Sequence, residues 1–179
     1  MFAIPFLDPD EVARNLRPDA PEMAMIEAGR FVIERAHELL RQSQSFAIET
    51  TLSGHTQLRL MRDAKSNGYL VDLIYVCGET PNLNIVRVKQ RVGEGGHDVP
   101  VADIRRRYQR SLDNLPHAIQ FADLIALYDT SRMEGHRRAL VVEHGQVTFQ
   151  APSLPQWIVN SIGALLTPPA PPPNAPTTP

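Results

Sequence analysis

The fold this sequence predicts is an α/β domain in three layers, with helices on both faces of a mainly parallel sheet. Two observations predict it. Short apolar runs rich in β-branched and aromatic residues alternate with longer segments whose apolar residues recur every three or four positions. Strands joined by helical crossovers run parallel, and the crossover helices cover the sheet that they serve. A third observation sets the end of the chain. Two β-branched runs meet across His144-Gly145, which reads as a β-hairpin, and residues 167–179 are mostly proline, alanine and threonine. Such a tail has too little apolar surface to offset the entropy of ordering, so it is expected to be extended and disordered.

The elements follow in order. Residues 2–7 form a short apolar run, expected as a buried strand whose far end presents Asp8 and Asp10. Asp19 with Glu22 has the spacing of a capping box, and Ile26, Gly29, Ile33, Ala36 and Leu40 then recur at helical period, predicting a helix over 20–42. Residues 45–51 read as a second short strand ending near Glu49. Ser53-Gly54 breaks it, and a helix with Leu58, Met61 and Ala64 inward follows, stopped by Gly68. Residues 69–76, YLVDLIYV, carry the clearest strand signal in the chain.

Pro81 and Asn82 open a further helix with Ile85, Val88 and Val92 on one face. The glycine-rich stretch 93–100 reads as a mobile loop. From Val101 to near Leu115 the period is helical, with Ile104, Tyr108, Leu112 and Leu115 inward and Arg105, Arg106, Arg107 and Arg110 opposite. Residues 124–128 make another strand, 139–142 and 146–149 the hairpin, and Trp157 is expected to pack a last short helix onto the body. The folded domain is placed at 1–160 and the tail at 167–179.

Composition narrows the function. With 42% hydrophobic and 21% charged residues the chain is globular rather than disordered. A formal net charge of −2 supplies no field that would draw it to nucleic acid or to anionic lipid. The single cysteine, Cys77, excludes an internal disulfide. No apolar run reaches the ~20 residues that span a bilayer, and residues 1–9 lack the pattern of a secretory signal. The expected location is the cytoplasm. His97 and Asp98 stand without further residues at ligand spacing, so no metal site is expected. No G-x-S-x-G or C-x-x-C occurs, which leaves hydrolase and redox chemistry without a nucleophile.

Five segments stand in a telling order: FLDPDEVARNL (6–16), FAIETTLSG (46–54), RVGEGGHDVP (91–100), IRRRYQRSLDNL (104–115) and LYDTS (127–131). Together they resemble the zeta-toxin-like P-loop kinases, small ATPases that phosphorylate a hydroxyl of a nucleotide sugar. The resemblance implies a three-layer P-loop kinase-like domain, ATP and Mg²⁺ as cofactors, a nucleotide and a small-molecule substrate as ligands, and an antitoxin protein as a partner. Asp10 matches the family's catalytic aspartate, while Asp8 stands where relatives usually carry asparagine. Glu49, Thr50 and Thr51 match the substrate-binding segment. Arg91, Arg107 and Arg110 match the lid that closes over the ATP phosphates.

The chemistry asks for these residue types. A carboxylate must orient and deprotonate the accepting hydroxyl, and fixed cations must neutralise the oxygens in transfer. Arginine suits the second task because its planar fork donates two hydrogen bonds and keeps its charge. Each residue also has a plainer reading. Asp10 in such a turn is a helix N-cap, Glu49 a polar strand end, and the arginines a solvated basic face, the last being the favoured reading of Arg105 and Arg106.

One departure from the family is large. Its members open with a strand and a G-x-x-x-x-G-K-[S/T] loop, whose amides, lysine and hydroxyl hold the phosphates and Mg²⁺. No glycine precedes Gly29 here, and no Gly-Lys-Ser or Gly-Lys-Thr occurs in the 179 residues. The resemblance therefore implies a chain that enters the family pattern after its central strand and is inactive as a kinase in this form. The alternative is a remnant that only binds a substrate or partner, or an incomplete gene model.

Overall fold

A computed structural model describes residues 4–93, 98–132 and 135–166. The expected disordered tail and residues 94–97 of the glycine loop, including His97, lie outside the described residues. The chain is a mixed α/β domain. Its elements are β1 (Phe6–Leu7), α1 (Pro9–Leu16), a 3₁₀ turn (Pro21–Ala24), α2 (Met25–Arg41), β2 (Ala47–Ile48) and α3 (His55–Ser66). They continue with β3 (Asp72–Cys77), α4 (Asn82–Gly93), α5 (Val101–Ile119), β4 (Leu124–Asp129), β5 (Arg137–Glu143), β6 (Gln146–Gln150) and α6 (Gln156–Leu166).

The strands fall into two groups rather than the one sheet expected. β1 and β2 pair in parallel, with Leu7 beside Ile48. β3 to β6 form a second sheet in sequence order, of which β3 and β4 are parallel and the two remaining pairs antiparallel. The expected parallel pairing holds for β1 with β2 and for β3 with β4, and the expected hairpin, added beside β4, makes the larger sheet mixed. Its turn is as predicted. His144 and Gly145 both take positive φ, 49° and 77°, the geometry of a two-residue turn that follows strand twist.

Three apolar clusters hold these parts. Tyr75, Leu127, Ala139 and Leu140 of the larger sheet meet Leu115 of α5 and Trp157, Ile158 and Ile162 of α6. Ala36 and Leu40 of α2 with Leu60 and Ala64 of α3 gather Leu7, Ile48, Tyr69 and Val71. A small alanine contact joins α1 to α2. The second cluster joins the two strand groups, since Leu7 and Ile48 belong to one and Val71 leads into the other.

Helices on both faces were expected, but one face of β3 is open. Tyr75 and Cys77 are buried while Ile74 and Val76, alternating with them, are 69% and 53% exposed. The start of α2 also differs. Residues 21–24 wind as a 3₁₀ turn and no side chain caps it, so the Asp19–Glu22 capping box is not formed. The helix is rotated from its expected face: Ile26 is 75% exposed, and Ala28, Val32, Ala36, Leu39 and Leu40 are inside. α5 runs on through Pro116 to Ile119, where a stop near Leu115 was expected, and α6 runs to Leu166, past the domain end placed at 160. Among the described residues no helix is long and apolar enough to cross a membrane.

Asp123, between α5 and β4, ties three elements at the amino ends of the strands. Its carboxylate accepts from Lys65 Nζ at 2.7 and 2.8 Å and from the Val71 N–H at 2.8 Å, and its own carbonyl accepts from the His144 N–H. The Lys65 hydrogen bond, then the Val71 amide, hold its pKa below the ordinary 3.8. A depressed carboxyl stabilises the fold fully above its unfolded pKa and loses that contribution as pH falls through the folded value. Asp123→Asn, which keeps the acceptor oxygen, is therefore expected to lower stability at neutral pH. Denaturant titrations at decreasing pH should show the gap to wild type closing only below about pH 4. A gap that stays constant throughout the acid range contradicts the assignment.

Candidate functional site

Parallel strands deliver their carboxyl ends, and the loops that follow, to one edge of a sheet. β1 and β2 do this at the smallest scale. The pairing of Leu7 with Ile48 sets Asp8 beside Glu49, and α1 begins at once with Pro9 in its first turn. Asp8 is the N-cap: its Oδ1 accepts the Asp10 N–H at 2.8 Å, and Arg14, on the next turn, lies 3.6 Å from its Oδ2. The cap considered for Asp10 thus belongs to Asp8. The Asp10 carboxylate is half-buried and makes no hydrogen bond or ion pair among the described residues.

The structure brings Asp8, Asp10 and Glu49 into one electrostatic group. Partial burial, then the charges of Asp8 and Asp10, push the Glu49 carboxyl above its ordinary 4.5, and Arg14 opposes them. Three carboxylates sharing an edge can accept protons and hydrogen bonds from hydroxyls. Among the described residues no group of three or more His, Cys, Asp or Glu side chains is arranged to hold a metal ion.

Thr50 and Thr51 are exposed and shape the turn after β2. Thr50 Oγ1 accepts the Leu52 N–H at 3.0 Å, and the Thr51 hydroxyl lies 2.8 Å from that of Ser53. Leu52 takes a positive φ of 53° and sends its side chain into the main core. Its carbonyl accepts from Asn114 Nδ2 at 2.8 Å, which fixes this turn to α5.

α5 also binds the end of β3, where the Tyr108 hydroxyl reaches the Gly78 and Glu79 carbonyls at 2.8 and 2.9 Å. Arg107 and Arg110 are exposed next to these anchors, so they stand at the carboxyl edge of the strands. Arg106 is tied to Asp103 at 2.8 Å. Arg91 is exposed in the last turn of α4. Among the described residues no hydrogen bond or ion pair joins Arg91, Arg107 or Arg110 to the carboxylates: the fold brings the acids together but not the acids with these arginines.

Several residues of this edge went unread in the sequence. Glu79 caps α6, accepting the Gln156 and Trp157 N–H groups at 2.6 and 3.1 Å. Asp129 is buried at the end of β4 and accepts from Ser131 and from Trp157 Nε1 at 2.6 and 3.1 Å. Its signal was its place in LYDTS, one of the five matched segments. A cleft of about 410 Å³ lies between α5 and α6, lined by Glu79, Tyr108, Asp113, Trp157 and Asn160, away from the carboxylate group. Cys77 is no nucleophile: burial pushes its thiol up to about 11, leaving it protonated at neutral pH.

No family model matches the chain, and no solved structure matches it. It is 36% identical over 102 residues to an uncharacterized protein of Haemophilus influenzae (strain ATCC 51907 / DSM 11121 / KW20 / Rd), a match covering 57% of this chain and 73% of that protein. The chain belongs to the same family as that protein.

The geometry predicts how Glu49 titrates. Followed by NMR, its carboxyl should titrate above 4.5 in the wild type. Asp8→Asn, which keeps a capping oxygen, and Asp10→Asn should each move it down, and Arg14→Ala should move it up. A Glu49 titration indifferent to all three substitutions would mean that the carboxylates do not act as a group.

Proposed function

We propose that this chain, a member of the family of the Haemophilus influenzae protein, is built for ATP-dependent phosphoryl transfer of the zeta-toxin type to a hydroxyl of a nucleotide sugar. The observation that carries the reading is the pairing of β1 with β2, which sets the unpaired Asp10 carboxylate beside Glu49 at the carboxyl edge of the strands. Asp10 is the base. It is exposed enough to meet a substrate and is not engaged in capping, so its oxygens can accept the hydroxyl proton as the oxygen attacks phosphorus. Glu49 accepts a second substrate hydroxyl. Its pKa is raised by burial and then by its acidic neighbours, and a hydroxyl donor would stabilise the carboxylate against both. Thr50 and Thr51 hold the turn that presents Glu49, while Arg91, Arg107 and Arg110 are the cations for phosphate.

The residues present do not make a complete site for ATP and Mg²⁺. The three carboxylates form no metal cluster, and the 179 residues contain no glycine-lysine loop to wrap a triphosphate. In a second reading the chain as it stands binds the acceptor substrate and transfers nothing. An antitoxin-type protein is a further partner under either reading.

Kinetics separate the roles. With ATP and Mg²⁺ the chain alone should form no phosphorylated nucleotide sugar above a no-enzyme control; product above that control defeats the binding-only reading. In a form supplied with a phosphate-binding loop, Asp10→Asn should cut kcat about 10²–10⁴-fold with little change in KM for ATP. Arg107→Ala and Arg110→Ala should raise that KM as well. An Asp10→Asn variant of near-normal kcat removes Asp10 from the base role and points to Asp8.

A further inference from the structure

The cleft between α5 and α6 has no part in the chemistry above, and its volume of about 410 Å³ is that of a small-molecule site. Its apolar lining is Leu112 and Pro116 of α5 and Trp157 of α6. These parts are fixed in place. The Trp157 indole N–H donates to the Asp129 carboxylate at 3.1 Å, and its ring meets that of Tyr75 at 5.6 Å. At one end the Tyr108 hydroxyl is tied to the Gly78 and Glu79 carbonyls.

The polar groups of the cleft are weighted towards acceptors. Glu79 and Asp113 line it, and no lysine, arginine or histidine does. Asp113 is exposed, and of its two oxygens Oδ1 accepts from Gln109 at 2.9 Å. Glu79 spends one lone pair of each oxygen on the Gln156 and Trp157 N–H groups, so each oxygen can accept again. Those same bonds fill the N-terminus of α6, which removes it as a place for an anion. Pro116 adds an acceptor of another kind. Having no N–H, it leaves the Leu112 carbonyl, one turn back, without its helical donor. Spacing matters as well: Asp113 stands about 7.5 Å along the α5 axis from Tyr108, whose hydroxyl is bonded to Glu79.

We infer that this cleft binds a short aliphatic diamine, with one ammonium at Glu79, the other at Asp113 and the methylene chain over Leu112. Each ammonium brings three donors and no acceptor, which matches a lining of carboxylates and a spare carbonyl. The chain between them suits the half-buried Leu112 and the Pro116 ring, and it covers apolar surface that water now meets. Length is set by the axial spacing: at about 1.5 Å per carbon–carbon bond, roughly five methylenes span it. An anionic ligand would meet two carboxylates and no cation. The inference rests on the cleft alone and is independent of the phosphotransferase reading.

Cadaverine titrated into the full, isotopically labelled chain at low ionic strength tests it, with n-pentylamine as the single-ended control. Saturable amide shifts are expected over residues 108–116 and 156–161. Pentylamine should bind more weakly by about threefold or more, since it engages one carboxylate only. Asp113→Asn, at an exposed position, should weaken cadaverine by a similar factor, and added salt should weaken it further. Asp72→Asn removes the same charge from an exposed position on β3 and should leave the affinity unchanged. Four results overturn the inference: no saturable shift at millimolar cadaverine, pentylamine binding as tightly, equal loss from Asp72→Asn and Asp113→Asn, or shifts centred on Asp8, Asp10 and Glu49. An Asp113→Asn chain that binds cadaverine as the wild type does overturns it too.

Discussion

Parallel strands can be completed only from the side, and that constraint governs the rest of this structure. β2 pairs with β1 and β3 with β4, and β2 and β3 do not pair with one another. Because they do not pair, α5 does the joining. Asn114 holds the turn after β2 and Tyr108 holds the turn after β3, so a single helix keeps both carboxyl ends level. Tyr69 closes the opposite end by reaching the Leu39, Leu40 and Gln44 carbonyls. The carboxylate group stands where it does as a consequence: two residues of pairing in β1 and β2 suffice to aim it, because α1, α2 and α3 hold that pair from behind.

The electrostatics of that edge agree with a role outside folding. A structural carboxylate is usually stabilised by its neighbours, as Asp123 is by Lys65 and Val71. Glu49 is the reverse case, raised by burial and by two acidic residues with only Arg14 in opposition. Like charges gathered at a strand terminus cost stability, and such a cluster in a partly enclosed edge is a candidate functional site on physical grounds. The cations that would answer it, Arg107 and Arg110, stand on the helix that anchors both strand ends, while Asp103 engages Arg106 instead.

Locally coded features were legible in the sequence. β3 showed in its YLVDLIYV run, α3 in its period and in Gly68, whose φ of 81° only glycine adopts without strain, and the hairpin in His144-Gly145. Features decided at a distance were not. Ile26 fits the helical period but is exposed, because the small residues Ala13, Ala24 and Ala28 set the contact between α1 and α2. The helical period was read only to near Leu115, but burial of Leu115 and Ala118 in the main core carries α5 on through Pro116 to Ile119. At the site, Asp8, Asp10 and Glu49 were found by their place after strands; the division of labour between Asp8 and Asp10 rests on which oxygen meets the Asp10 N–H. Glu79, Asn114 and Asp129 have partners tens of residues away, which no local pattern reports.

The claim that most needs testing is that the carboxylate edge receives substrate. A titration of the isotopically labelled chain with nucleotide sugars, read by amide chemical shifts, addresses it without requiring turnover. The expected result is saturable shifts centred on Asp8, Asp10 and Glu49 and on the turn through Leu52. Shifts centred instead on the α5–α6 cleft around Glu79 and Asn160, or none at millimolar ligand, would contradict it.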